Sequence, residues 1–426
     1  MRVLHTADWH LGQHFLTGQE RTDEHKAFLD WLIGTVKAHG VDVLVVAGDI
    51  FDSQSPSHAA QGLYYDFLVQ MLGTGCRHIV IVGGNHDSPT MLNASRQLLR
   101  HLQVHVIGGV PQEPAEQVLV LENETGRPGL VVCAVPFLRD RDIRLSVAGE
   151  TADERHERVR QAIAGHYTHV AGLAAALRHH ENGVPVLATG HLYAAGGEAS
   201  EGAERDVHIG GLGSVSADQF PELFDYVALG HLHRPQQVGG RAHIRYSGSP
   251  VPLSFAEAAH QQQVVLLTLD AAGQPVTLEY LPVPLQRQLV RFRGSREEVE
   301  YQIMAFDNQD RPLVAWADVE VVSDELPSEI HRAISAAFDT RRGHIEAPRT
   351  PRVRRQMPEQ DLARQSAPTE TLQDLTVAEV FARRISTLPE AQRTALTDTF
   401  RELCQLMEQS TGEPIPAAPT FSVTAS

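Results

Sequence analysis

The sequence predicts an α/β fold in which strands lie side by side beneath covering helices. Two observations carry the prediction. Short apolar, β-branched runs alternate with longer amphipathic stretches through the first 270 residues, the signature of successive strand and helix units. Polar residues of metal-ligand type follow directly after five of those runs, and open α/β sheets build ligand sites outside the carboxyl ends of their strands.

In chain order the predicted strands are residues 3–4, 41–47, 78–82, 130–134, 186–189, 226–229 and 264–269. Between the first three, residues 22–39 place Phe28, Leu29, Leu32, Ile33 and Val36 on one side, and residues 57–72 do so with Leu63, Phe67 and Leu68, so both predict amphipathic helices. Residues 155–180 predict another long helix. The run Leu281, Pro282, Val283, Pro284 interrupts regular structure and ends a main domain expected over residues 1–283. A small αβ domain is expected over 284–346, with strands at 288–292, 313–322 and 344–346 and helices at 295–305 and 325–338. Residues 347–370, rich in Pro, Arg and Gln, read as a basic linker. Two helices are expected over 371–410, with stripes of Leu375, Ala378, Phe381 and Ile385, then Leu396, Phe400, Leu403 and Met407. Residues 411–426 read as a disordered tail.

The chain has 426 residues, 42% apolar and 21% charged, enough for two or three domains with packed cores. Its net charge of −17 argues against a surface that holds nucleic acid by basic charge alone. Cys76, Cys133 and Cys404 are too few and too scattered for a disulfide framework or a sulfur metal site, which fits a reducing cytoplasm. No apolar run approaches a bilayer span, and the first residues turn polar too soon for a signal peptide.

The polar clusters are Asp8 with His10, Asp49, the run Asn85, His86 and Asp87, His191, and His231 with His233. Each alone has an ordinary reading: a surface or core histidine among 23, a turn after a strand, or, for Asp87, the polar start of a helix before Ser88 and Pro89. In order and at strand ends they predict one convergent site.

The motifs D-x-H at Asp8 and His10, G-D-x-x-D from Gly48 to Asp52, G-N-H-D from Gly84 to Asp87, G-H at Gly190 and His191, and G-H-x-H from Gly230 to His233 resemble the calcineurin-type metallophosphoesterase superfamily. The flanking residues His5 to Gly12, Gly190 to Leu192 and Ser247 to Pro250 are similar to the SbcD family, nuclease subunits of bacterial SbcCD complexes, and the likeness runs from Met1 to about Gln409. The resemblance implies a four-layer αββα sandwich with a small capping domain and C-terminal helices. It also implies two divalent metals, one on Asp8, His10, Asp49 and His233, the other on Asp49, Asn85, His191 and His231, with the Asp49 carboxylate bridging. Such a pair clamps a phosphoryl group for in-line attack. His86 is cast as a catalytic residue that contacts the scissile phosphate and assists the leaving oxygen, with Asp87 orienting and charge-stabilising it. Asp52 stands where archaeal and eukaryotic relatives carry His, and its role is open. Nitrogen and oxygen donors suit Mn, Fe or Zn; the family uses Mn.

The resemblance further implies an Mn-dependent DNA nuclease, exonucleolytic on duplex ends and endonucleolytic on single strands and hairpins. It implies an SbcC-type ATPase partner, a homodimer within a heterotetramer, and work in DNA repair, replication and recombination at the nucleoid. The C-terminal helices are expected to dock on SbcC, presenting Phe381 and Phe400 to a groove; a dimer contact or packing on the chain's own nuclease domain is the other reading. Residues 341–355 carry a net charge of +5, fit for phosphates, an acidic partner face or a solvated linker. A small-molecule phosphodiesterase needs neither the small domain nor the helices. A DNA-end scaffold with a vestigial site does not account for five intact motifs.

Overall fold

The computed structural model describes residues 1–16, 18–143, 151–180, 183–194 and 215–355, with six further positions between 381 and 400. The chain divides into a first unit, Met1–Arg355, and a second, Gln356–Ser426. The first unit opens with β1 (Arg2–Thr6), a short hairpin of β2 (His14–Phe15) and β3 (Gln19–Glu20), α1 (Thr22–His39), β4 (Val43–Ala47), α2 (His58–Met71) and β5 (His78–Val82). It continues through α3 (Pro89–Asn93), α4 (Arg96–Arg100), β6 (Val104–Ile107), β7 (Val118–Glu122), β8 (Pro128–Cys133), α5 (Asp140–Ile143) and α6 (Ala152–His180). Then come β9 (Val186–His191), β10 (Tyr226–Gly230), β11 (Gln236–Val238), β12 (Arg241–Tyr246), β13 (Gln263–Thr268) and β14 (Thr277–Pro282).

These strands form two six-stranded sheets, ordered β14-β13-β1-β4-β5-β6 and β11-β12-β10-β9-β8-β7. The middle of each is parallel, β1 to β6 in the first and β8, β9, β10 and β12 in the second. Parallel central strands are buried on both faces, so alternate side chains serve two cores. In β4, Val43 and Val45 face the other sheet and meet Leu130, Val132, Leu187, Tyr226 and Ala228. Leu44 and Val46 face outward onto Phe28, Leu32 and Val36 of α1 and Phe67 and Leu68 of α2. On the second sheet, Val186, Ala188, Val227 and Leu229 are covered by Val159, Ile163, Tyr167 and Val170 of α6. The result is the expected four-layer αββα sandwich. Each buried Val or Leu contributes roughly 1.5–3 kcal/mol.

The small domain follows, with β15 (Leu289–Gly294), α7 (Arg296–Ala305), β16 (Ala315–Val322), α8 (Pro327–Thr340), β17 (Ile345–Glu346) and β18 (Arg352–Arg354). Ser295 starts α7 with a capping box to Glu298. One face of the sheet packs Phe292, Val319 and Val321 against Val299 and Ile303 of α7 and Ile330 and Ile334 of α8. The other face sets Arg291 opposite Asp318 and Arg293 opposite Glu320. The linker expected from residue 347 is corrected here: β18 pairs with β16 inside the domain. Arg349 and Arg352 hold the buried Asp318, and Arg354 reaches Glu320. Charge that read as solvated linker is instead drawn into ion pairs across the sheet.

In the second unit the six described positions are helical. The rings of Phe381 and Phe400 stack at 4.2 Å and 8°. Leu375, Ala378, Ile385, Leu403, Met407, Cys404 and the tail lie outside the described residues. Cys76 and Cys133 are unpaired, and no helix among the described residues is long and apolar enough to cross a membrane.

Phe67 is buried at the edge of Trp9, with centroids 5.2 Å apart. Phe67→Ala is expected to cost ~3–5 kcal/mol in denaturant unfolding, while Val69→Ala, on the exposed side of α2, stays within ~0.5 kcal/mol.

Candidate metal centre

The donors sit beyond the carboxyl ends of five parallel strands, three from the first sheet and two from the second. Asp8 follows β1, Asp49 follows β4, Asn85 to Asp87 follow β5, His191 ends β9, and His231 and His233 follow β10. Past the strands the backbone stays paired, Asp8 N–H to Gly48 O and His10 N–H to Asp49 O, both at 3.0 Å. Asp8, His10, Asp49 and His231 all have positive φ, at 55°, 48°, 49° and 102°. Such backbone costs about 1–3 kcal/mol per residue and concentrates at functional sites. Glycine is required at Gly48, where φ is 94° and a Cβ would lie 2.2 Å from His191 Nδ1. It is required equally at Gly84, where a Cβ would lie 2.1 Å from Asp49 Oδ1.

Three overlapping groups of donors result: Asp8, His10 and His233; His10, Asp49 and His86; and Asp49, His191 and His231. Asp49 Oδ2 lies 3.2 Å from His191 Nε2 and 3.5 Å from His10 Nε2. Asn85 Oδ1 lies 3.0 Å from His191 Nε2 and 2.9 Å from His231 Nδ1. Every metal ligand expected from the sequence, and His86 with them, is therefore in this one cluster.

The ring hydrogens identify which nitrogens face inward. His191 Nδ1–H donates to Ala47 O at 2.9 Å, so in the neutral ring Nε2 turns a lone pair toward Asp49 and Asn85, both acceptors. His10 donates from Nδ1 to Asp52 Oδ1 at 3.1 Å, and its buried Nε2 makes no hydrogen bond; nor does Asp8 Oδ2. Acceptors gathered around acceptors, with orphaned donor atoms between them, fit a bound divalent cation. The carboxylates of Asp8 and Asp49 face histidines and backbone amides rather than Lys or Arg. Burial pushes the Asp8 carboxyl above its usual range. Burial pushes Asp49 the same way, but His191, His10 and His86 outweigh it and hold Asp49 low. His191, which burial alone would lower, is raised by Asp49 and Asp8.

One outer residue differs from expectation. Asp87 does not orient His86. It is fully buried and accepts from Ile50 N–H at 3.1 Å, Phe51 N–H at 3.0 Å and Gly84 N–H at 2.8 Å, binding the loop after β4 to the loop after β5. Burial, and then Asp49, raise its carboxyl to about 6. His86 is instead held by Asp52, whose backbone O accepts from His86 Nδ1 at 2.8 Å. Asp52 thus serves two rings, His10 through its side chain and His86 through its carbonyl. Glu257, which sequence reasoning missed, faces His233 Nδ1 at 3.2 Å; it lies outside every motif, and only the fold brings it near.

Two helix-flanked sheets with a polynuclear nitrogen and oxygen cluster at their shared strand ends define a divalent-metal phosphoesterase. The family model for calcineurin-like phosphoesterases matches residues 1–235, and the one described as a type 5 capsule protein repressor C-terminal domain matches residues 285–387. The SbcD subunit of the nuclease SbcCD from Escherichia coli K12 is 39% identical over 94% of this chain and 97% of its own length. The SbcD subunits from Rhodobacter capsulatus and Bacillus subtilis are 37% and 34% identical over 80% and 78% of this chain, and 84% and 82% of their own lengths. The chain belongs to the SbcD family of calcineurin-like phosphoesterases.

Gly84→Ala forces Asp49 away from its place between the donor groups. The expected outcome is loss of at least one bound ion when the purified variant is titrated with Mn2+, at an unchanged circular dichroism spectrum; full metal uptake would show that Asp49 can move freely.

Proposed function

We propose that the chain is an Mn-dependent DNA nuclease, exonucleolytic on duplex ends and endonucleolytic on single strands and hairpins. It works with an SbcC-type ATPase in DNA end processing, repair and recombination. The observation that carries the reading is the single Asp49 carboxylate set between two donor groups. Asp8, His10, Asp49 and His233 would hold one ion and Asp49, Asn85, His191 and His231 the other. Bound there, the ions neutralise charge on a phosphodiester and supply the attacking group at neutral pH. Nitrogen and oxygen donors suit Mn, and the likeness to SbcD proteins favours it.

His86 acts on the leaving oxygen. Its Nδ1–H is fixed on Asp52 O, so a proton held at Nε2 is the one it can deliver. Asp87 acts at one remove, by holding together the loops that carry Asp49 and His86. The relatives' name places them in a two-protein complex; residues 371–410 are the segment we assign to SbcC, with two copies of each chain assembling. Work on chromosomal DNA sets the protein in the cytoplasm at the nucleoid.

The test is end-labelled duplex DNA with Mn2+, with a chelator control, with and without an SbcC-type partner and ATP. Mn-dependent shortening that becomes processive with partner and ATP supports the reading. Hydrolysis of a small phosphodiester with no DNA cleavage would replace it with a small-molecule phosphodiesterase. His86→Gln is expected to keep both ions and lose at least 100-fold in cleavage, the scale of general acid catalysis. Asp49→Ala is expected to lose both ions in a metal titration; retained occupancy would remove the bridging assignment.

A further inference from the structure

The loop between β12 and β13 touches both the metal donors and the small domain. Glu257, within it, is 1% exposed. Its Oε1 accepts from His233 Nδ1 and Ser254 Oγ, each at 3.2 Å, and its Oε2 accepts from Leu253 N–H at 2.8 Å. A buried carboxylate is costly unless an interaction needs its charge, and among these partners only the imidazole of His233 does. Carboxylates placed behind metal-binding histidines fix ring orientation and raise ligand basicity.

The stretch leading to Glu257 is seated on the small domain by two routes. The apolar route runs through Phe255, which meets Phe15 edge-on at 5.1 Å; Phe15 stacks on Trp316 of β16 at 5.0 Å, beside Leu289. The polar route starts at Pro252 O, which accepts from the buried Arg21. Arg21 Nε donates to Glu24 Oε2 at 3.2 Å, and the same oxygen accepts from Arg287 Nε at 3.2 Å. Arg287 lies over the Trp316 ring at 3.9 Å. Both routes end within five residues of the carboxylate that holds His233.

We infer that Glu257 is a positioning residue for His233, and that the seating of the small domain on residues 252–255 sets its position. The affinity of one metal site is thereby tied to how the small domain sits. This inference rests on the two-metal reading above, in which His233 is a ligand of one ion only.

The experiment is Mn2+ titration of the full metal-free chain by calorimetry and electron paramagnetic resonance, with each variant's melting temperature measured in chelator. Glu257→Gln is expected to weaken one of two Mn2+ sites by about 10–100-fold and leave the other unchanged. Arg287→Gln is expected to weaken the same site, and the double variant to bind no worse than Glu257→Gln alone, the non-additivity of groups acting on one path. Should Arg287→Gln fail to fold, Phe255→Leu tests the apolar route in its place. Two ions bound by Glu257→Gln with wild-type affinity would overturn this inference alone. Metal affinity unmoved by Arg287→Gln and by Phe255→Leu would overturn the coupling. A wild-type chain that takes up no Mn2+ overturns the two-metal reading and this inference with it.

Discussion

The carboxylate of Asp49 is the constraint on which the rest of the site depends. It is buried where the strand ends of two sheets meet, with histidines rather than an arginine or lysine around it. A buried anion requires compensation, and here the compensation comes from imidazoles, an amide N–H of His86 at 2.9 Å and the cation that the donor atoms fit. Its location follows from topology: β4 is central in the first sheet and packs across onto β9 and β10 of the second. Asp49 is therefore placed where donors of both sheets reach its carboxylate. Gly48 and Gly84 then follow as steric necessities, because any side chain at either would occupy the space of His191 or of Asp49 itself.

The central strands and long helices were legible because burial on both faces demands unbroken apolar runs, and a covering helix needs one apolar stripe. The outer strands β6, β7, β11, β12 and β14 were not, since several of them carry polar residues such as Arg241, His243, Arg245 and Glu279 that dilute the pattern. The site was legible in its inner layer for a related reason. Ligands must stand at strand ends, so each motif is read together with the strand before it. The layer behind has no such anchor. Asp87 sits beside His86 in sequence, yet its side chain turns to three backbone amides; Asp52 and Glu257 reach His10 and His233 from 42 and 24 residues away.

The small domain shows the same limit in charge rather than hydrophobicity. The arginines between 341 and 355 look alike in sequence, but pairing of β18 with β16 sorts them. Arg349 and Arg352 are spent on the carboxylate of Asp318, which is 3% exposed, while Arg342 remains on the surface beside Asp339. A buried carboxylate held by several arginine forks is a strong specifier of strand register, because a one-residue slip would turn it to the apolar face and leave it unpaired. Net charge of the segment therefore says little about what the segment binds.

The same reasoning bears on what metal does for the fold. Asp8 and His10 keep unpartnered buried atoms, and four donors hold left-handed backbone. None of these features lowers the free energy of the chain by itself. The opposing gain comes from the three cores, which fix the strand ends whether or not a cation is present. The sandwich thus preforms a cluster that is unfavourable when empty, and a cation binding the folded state alone returns that energy as stability, by mass action. Preformation also explains why the donors come from five separate strand ends. Each end is held by its own sheet, so the unfavourable contacts cannot relax by moving one loop, and the arrangement stays complementary to metal.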